Sequence, residues 1–362
     1  MESPHQPHPG SRPFSRRGLL KGGAFIGSAL AVPSLLTTGC SAAAGGKNSL
    51  TFTSDGGAYQ DAMTKAWLTP FQKESGITVL QDSPKDYAKV KAMVQSKNVT
   101  WDVMTAGNVF GLSNADMALL EPLTKEDIPQ IADINPNFVQ SHRVGHEVYA
   151  NVLAYRTDAF GGKVPESWKD FFDVRKFPGK RGLPQASDEG IFEYALLADG
   201  VDPEHLYPLD FERALAKLDS IKDHIVWWTT GAQSAQLIAD KEVALCVMWN
   251  GRVYDLQQSK TPVEIQWNHH FAQADYLTIP KGAANVAACK KLISYILDKK
   301  NNARLTDYLP YGPTNTKATS INKKVADQLP TAHADVAAYF DNTYRSAHAA
   351  EIDKKFQDWL QK

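Results

Sequence analysis

His146-Glu147 opens the pattern of a zinc hydrolase, but the position where the second histidine must stand is Ala150, so the metal site is not built. Asn268-His269-His270 offers two imidazoles, yet adjacent side chains point in different directions and no third ligand follows nearby; a solvated loop is the expectation. No Gly-x-Ser-x-Gly elbow and no phosphate-cradling loop occurs. Cys246 and Cys289 both lie among apolar residues and read as buried, reduced thiols, while a disulfide between them requires a distance that sequence does not supply. Neither catalysis nor a cofactor nor a metal is therefore expected. What the chain does offer is the chemistry of holding a solute: glycines where backbone can approach a ligand, with aromatic and charged side chains beside them.

Those groups must be positioned by secondary structure. From Leu50 onward, short apolar runs alternate with helical periodicity, the signature of parallel strands joined by crossover helices. Leu50-Thr51-Phe52-Thr53 predicts a first strand, Gly56-Gly57 its turn, and residues 58–73 a helix with Met63, Trp67 and Phe71 on one face, stopped by Gly76. Residues 77–80 and 101–104 predict the next two strands, around a helix over 85–95. A second α/β unit follows residues 148–155. Its helices are read over 168–172 and over 210–223, where Phe211, Leu215, Leu218 and Ile221 form an apolar stripe. Its strands are read over 181–183, with 225–228 and 243–249 buried, and over 276–280.

In an open α/β sheet, ligands bind beyond the carboxyl ends of the strands. That rule nominates Ser54, Asp55, Gly57 and Tyr59 after the first strand, and Gly107 and Asn108 after the third. It also nominates Gly231 and Gln233 after the Trp227-Trp228 strand, and Trp249 to Arg252 after the next. Asp55, Asp188 and Glu189 are acids within candidate loops.

The 362-residue chain carries 39 Lys and Arg against 40 Asp and Glu with no long basic block, which argues against nucleic acid as a partner. Ser15-Arg16-Arg17-Gly18-Leu19-Leu20-Lys21 resembles the twin-arginine export signal, with Leu19 where that pattern prefers Phe. The apolar run that follows, residues 24–36, is too short to span a bilayer, so residues 1–45 read as a signal peptide and the protein as periplasmic. Leu36-Thr37-Thr38-Gly39-Cys40 resembles a lipoprotein box in which Cys40 is lipidated, although the Leu sits one residue further upstream than usual. Cleavage near Ser41-Ala42-Ala43-Ala44, releasing a soluble protein, is the other reading, and both stay open. Removing residues 1–39 takes Arg12, Arg16, Arg17, Lys21 and Glu2, leaving 35 basic against 39 acidic side chains. About 320 residues exceed what one core usually supports, so two lobes are expected.

A series of short segments, in one unbroken order from about residue 50 to the C-terminus, resembles the spermidine/putrescine-type extracellular solute-binding proteins. They are Phe52-Thr53-Ser54-Asp55-Gly56-Gly57-Ala58-Tyr59, Trp101-Asp102-Val103, Leu153-Ala154-Tyr155-Arg156, Trp168-Lys169-Asp170-Phe171-Phe172, Phe177-Pro178-Gly179-Lys180, Val247-Met248-Trp249-Asn250-Gly251-Arg252, Asp275-Tyr276-Leu277-Thr278-Ile279-Pro280 and Tyr311-Gly312-Pro313. The resemblance implies an α/β fold of the two-lobed periplasmic-binding-protein kind (type II), with the ligand cleft between lobes. Residues 48–155 plus 275–312 would form lobe 1 and residues 156–274 plus 313–362 lobe 2, with crossings at Tyr155-Arg156 and Ala274-Asp275-Tyr276. It further implies a monomer that serves the membrane permease and ATPase subunits of an ABC importer. Related proteins of this architecture carry thiamine, organophosphonates or iron complexes instead.

By the same resemblance, Trp249 is the aromatic on which a cationic chain stacks, Asp275 the carboxylate that receives an ammonium, and Tyr311 a further cleft aromatic. An indole face attracts a desolvated cation by about 1 to 2 kcal/mol, and a buried ammonium without a carboxylate is strongly unfavourable. Two departures shift the ligand. Where polyamine binders carry Trp in the first loop and again two residues before the returning Asp, this chain has Asp55 and Gln273. Arg252 would repel a polycation while offering a two-pronged donor to a carboxylate. Arg252 and Asp275 together suit the ends of a zwitterion such as γ-aminobutyrate, as in amino-acid-binding members of the same broad family, with a di- or polyamine as the alternative.

Overall fold

The computed structural model describes residues 48–362, so the export signal, Cys40 and the cleavage region lie outside the described residues. Among the described residues nine strands form one sheet: Ser49–Thr53 (β1), Thr78–Asp82 (β2), Val103–Ala106 (β3), Val139–Gln140 (β4), Arg143–Arg156 (β5), Arg181–Pro184 (β6), Ile225–Trp228 (β7), Leu245–Trp249 (β8) and Val263–Thr278 (β9). Their order is β2-β1-β3-β9-β5-β8-β6-β7, with β4 added to β5. Each end of the sheet is a parallel triad, β2-β1-β3 and β8-β6-β7. Between them run β5 and β9, 14 and 16 residues long, antiparallel to each other and to the strands they join.

The expected parallel strands with crossover helices are thus present at the two ends but not at the centre. The segments read as 148–155 and 276–280 are the visible parts of much longer strands, which serve as the two connections between halves. Strand β7 also differs from expectation: it is the edge of the sheet, and of its residues only Trp228 is fully buried.

Each half has its own apolar core. Leu50, Phe52, Trp67, Phe71, Trp101 and Ile293 belong to one, and Trp168, Phe171, Phe192, Tyr194 and Phe356 to another. In the second half β5 serves both faces of the sheet, because alternate residues point to opposite sides: Leu153 and Tyr155 meet that core, Val152 and Ala154 a third cluster with Ile238 and Met248. Cys246 and Cys289 are free, buried and in different cores, so they do not pair.

The helical stretch before Gly76 is interrupted. Gly57–Met63 and Thr69–Ser75 are α-helical and Thr64–Leu68 is a π turn. Pro70 supplies the cause, since proline lacks the N–H that would bond back one turn and its ring crowds the carbonyl there. Met63, Trp67 and Phe71 are nonetheless all buried, and Gly76 ends the stretch at φ 71° in the left-handed region.

Candidate functional site

The site grows from the pairing of β5 with β9. Gly145 pairs with Tyr276 and Glu147 with Asp275, so β5 carries one extra residue, His146, as a bulge. The bulge turns the His146 ring inward, 5.6 Å from Trp67. Past it, the two-residue period puts Glu147 and Tyr149 on the same face as Asp275 and Gln273 opposite them. Two carboxyl groups, Glu147 buried and Asp275 half-buried, therefore sit side by side on neighbouring strands.

Loops from both halves close around them. The helix at Gly57–Met63 brings Tyr59, whose hydroxyl lies 3.1 Å from Glu147 Oε1, 3.2 Å from Asp275 Oδ2 and 3.1 Å from His146 Nε2. The backbone of Gly312 exchanges hydrogen bonds of 2.7 and 2.8 Å with Val148, which seats Tyr311 beside Tyr149, ring centres 6.1 Å apart. Strand β8 ends at Trp249, and the helix Asn250–Gln258 starts there, so Arg252 stands in its first turn. Asn250 fixes this corner: its Oδ1 accepts from Ala150 N at 3.0 Å and its Nδ2 donates to Pro310 O at 2.8 Å. Two glycines permit the close packing. A Cβ on Gly231 would stand 2.8 Å from the Trp249 ring, and one on Gly251 2.9 Å from the Tyr311 hydroxyl.

Asp55, Tyr59, Trp249, Arg252, Asp275 and Tyr311, all nominated from sequence, line one cavity of about 410 Å³. Lys85, Glu147 and Tyr149 line it too and were not nominated. Lys85 read as the start of a helix, Glu147 as half of a failed zinc motif and Tyr149 as the interior of a strand; an acid two residues before Tyr149, just ahead of the predicted strand, was the available signal.

The other nominated residues support the site from behind or lie apart from it. Glu189 accepts from Trp249 Nε1 at 3.3 Å and from Asn151 Nδ2 at 2.8 Å, bracing the indole. Asn108 donates to Tyr149 OH at 3.2 Å and to Gln273 Oε1, and Gly107 N–H donates to Tyr87 OH at 2.9 Å. Ser54 is buried in the turn, its hydroxyl donating to Gln60 Oε1 at 2.7 Å. Gly57 serves by its φ of +59°, with no atom close to where a Cβ would stand. Gln233 is spent on a capping box for the helix Gly231–Ala239 and is exposed.

Burial dominates the electrostatics. It raises the Glu147 carboxyl well above the usual range, and the neighbouring Asp275 raises it further. Glu147 Oε2 has no hydrogen-bond partner. Asp275 is raised by burial and partly restored by Lys85. Burial pulls the Lys85 ammonium down, but Asp275, Tyr87 and Asp55 outweigh it, so the group stays above its ordinary value and charged. His146 is pushed down to about 3 by burial and is neutral at physiological pH. Tyr59 is raised well above 10 by burial and then by Glu147, so it remains a phenol and a donor. The net arrangement is an acidic pair, Glu147 buried and Asp275 half-buried, with one unpartnered oxygen. Aromatic rings stand around it and a half-exposed guanidinium on the same cavity wall.

Two α/β halves sharing a sheet, joined by crossing strands that carry such a cavity, define a solute-binding protein of the two-lobed kind. The chain belongs to the bacterial extracellular solute-binding protein family, whose profile matches residues 66–334. It is 34% identical over 320 residues to the γ-aminobutyric acid-binding protein of Pseudomonas aeruginosa, covering 86% of this chain and 90% of that one. Among solved structures it resembles the Atu4243 GABA receptor at 40% identity and a TM-score of 0.79, covering 86% of this chain and 97% of that one. It also resembles an ABC transporter substrate-binding protein from Bradyrhizobium japonicum USDA 110 at 39% identity and a TM-score of 0.80, covering 86% and 99%. No helix among the described residues is long and apolar enough to cross a membrane.

Proposed function

We propose that this protein is the substrate-binding component of an ABC importer and that its cleft takes a short ω-amino acid such as γ-aminobutyrate. The ammonium sits against Glu147 and Asp275, the carboxylate on Arg252, and the methylene chain against Trp249 and Tyr311. The observation that carries this is the pairing of Glu147 with the half-buried Asp275, with Glu147 Oε2 buried and unpartnered, in a cavity that also holds the Arg252 guanidinium. A partly buried carboxylate pair calls for a cation, and a guanidinium in the same cavity calls for an anion. The γ-aminobutyric acid-binding protein of Pseudomonas aeruginosa and the Atu4243 GABA receptor, both similar to this chain, support the same ligand. The three carboxyl groups that line the cavity, Asp55 included, favour a di- or polyamine as the second reading.

Calorimetric titration with γ-aminobutyrate, putrescine and spermidine tests the ligand. A tight γ-aminobutyrate isotherm and weak diamine binding are expected; tight putrescine binding with no response to γ-aminobutyrate overturns the proposal. Because the contacts come from both halves, saturating ligand should also compact the protein in small-angle scattering and raise its melting temperature by mass action. Identical scattering profiles would argue for a rigid, preformed site.

Export through the twin-arginine route, as a soluble or a Cys40-anchored protein, is part of the same proposal. Replacing Arg16 and Arg17 by lysine should leave the precursor in the cytoplasm on cell fractionation, and unchanged delivery would remove the twin-arginine route from consideration.

A further inference from the structure

We infer that Lys85 limits the cleft to ligands with a single ammonium group, an inference that rests on the amine reading of Glu147 and Asp275. Lys85 lies between β2 and the helix Tyr87–Ser96, and its backbone is fixed on both sides. Its own N–H donates to Ser54 O at 2.8 Å, and the next residue, Asp86, caps the helix by accepting from Ala88 N at 2.8 Å and Lys89 N at 3.1 Å. The side chain is 13% exposed, with Nζ 2.7 Å from Asp55 Oδ2 and 4.0 Å from Asp275 Oδ2. A long, flexible side chain is thus held as a resident cation inside the ligand cavity.

Its effect follows from the charge count. Of the three carboxyl groups in the cavity, Lys85 engages Asp55 and one side of Asp275. What remains is Glu147 Oε2, without a partner, and the other side of Asp275. That leaves acidic partners for one ammonium. The second ammonium of an aliphatic diamine would have to settle beside Lys85 or beside Arg252, and each is a like charge in a partly desolvated site, where repulsion is poorly screened. Without the Lys85 charge, Asp55 and Asp275 become a second ammonium site.

The test compares Lys85→Met and Lys85→Gln, which remove the charge, with Lys85→Arg, which keeps it, each checked by thermal melting for a folded protein. Calorimetry with n-butylamine and putrescine reads the monoamine-to-diamine preference without involving a ligand carboxylate. Both neutral variants should shift the affinity ratio toward putrescine by tenfold or more, and Lys85→Arg should not. An unchanged ratio in the neutral variants, or an equal shift in Lys85→Arg, overturns the inference. Should neither neutral variant fold, the wild type still decides: with Lys85 and Arg252 both in place it should prefer n-butylamine over putrescine at least tenfold, and equal affinities or tighter putrescine binding overturn the inference. Failure of the amine reading itself would appear separately, as a wild type that binds neither amine nor γ-aminobutyrate.

Discussion

Arg252→Ala should weaken γ-aminobutyrate binding by well over tenfold while leaving putrescine binding no weaker. In the structure the Arg252 side chain is 46% exposed and its nearest acid, Asp255 one turn on, is 3.7 Å away. An exposed pair of that kind contributes little, typically about 0 to 1 kcal/mol, so the guanidinium is free to be recruited by a ligand at almost no cost to the fold. Once the halves close over a carboxylate, the contact becomes a desolvated, hydrogen-bonded charge pair, and removing one member of such a pair costs about 2 to 5 kcal/mol. At about 1.4 kcal/mol per tenfold, that is a loss visible in any titration. A diamine has no carboxylate to lose, and the substitution removes a repulsive charge. Arg252→Lys should fall between wild type and alanine, because an ammonium keeps the charge but not the planar two-pronged geometry. Equal losses for both ligands in Arg252→Ala would assign the residue to the contact between halves rather than to the ligand.

Glu147→Gln should have two opposite effects: a more stable unliganded protein and near-complete loss of γ-aminobutyrate binding. Glu147 stands directly across from Asp275, an arrangement in which like charges are destabilising, and burial adds to the penalty. Its folded-state carboxyl therefore keeps a proton well above the unfolded value of about 4.3. Between those two values the folded chain holds more protons than the unfolded one. The contribution to stability is full below about pH 4.3 and is lost as pH rises through the folded value. Glutamine cannot ionise, so the variant should melt higher than wild type at neutral pH, with the advantage shrinking as the pH is lowered. Asp275, also raised by burial, pushes the wild type in the same direction and leaves some pH dependence in the variant.

Binding reverses the balance. A ligand ammonium favours the ionised carboxylate, so wild-type binding should release protons and tighten as pH rises, which titrations in buffers of different ionisation enthalpy measure directly. Removal of this partner costs about 2 to 5 kcal/mol, and ligand should no longer raise the melting temperature of Glu147→Gln appreciably. A variant that binds γ-aminobutyrate as wild type does, or that melts lower without ligand, would show Glu147 to be a structural acid. Such a trade of stability for function is common where a site needs buried charge.

Much of this was present in local sequence. The spacing of Met63, Trp67 and Phe71 and the left-handed Gly76 specify a helix and its end, and the π turn that Pro70 imposes leaves that buried face intact. The apolar runs around Phe52, Val103 and Val247 specify strands, and the rule that ligands gather at strand ends leads to Asp55, Tyr59, Trp249 and Arg252, all of which line the cavity. These are properties of residues close together in the chain, where period and turn chemistry act. The strand directions at the centre of the sheet were not legible, because a segment's alternation of apolar residues is the same whether its neighbour runs parallel or antiparallel. Glu147 was hidden for a related reason. Its position depends on a single extra residue, His146, in the pairing of β5 with β9, and a one-residue shift in register sends a side chain to the opposite face of the sheet. Only the tertiary structure could bring Glu147, Asp275 and Lys85 into one cavity, since their meeting is fixed by long-range pairing and by the turn after β2, neither of which leaves a periodic mark in the sequence.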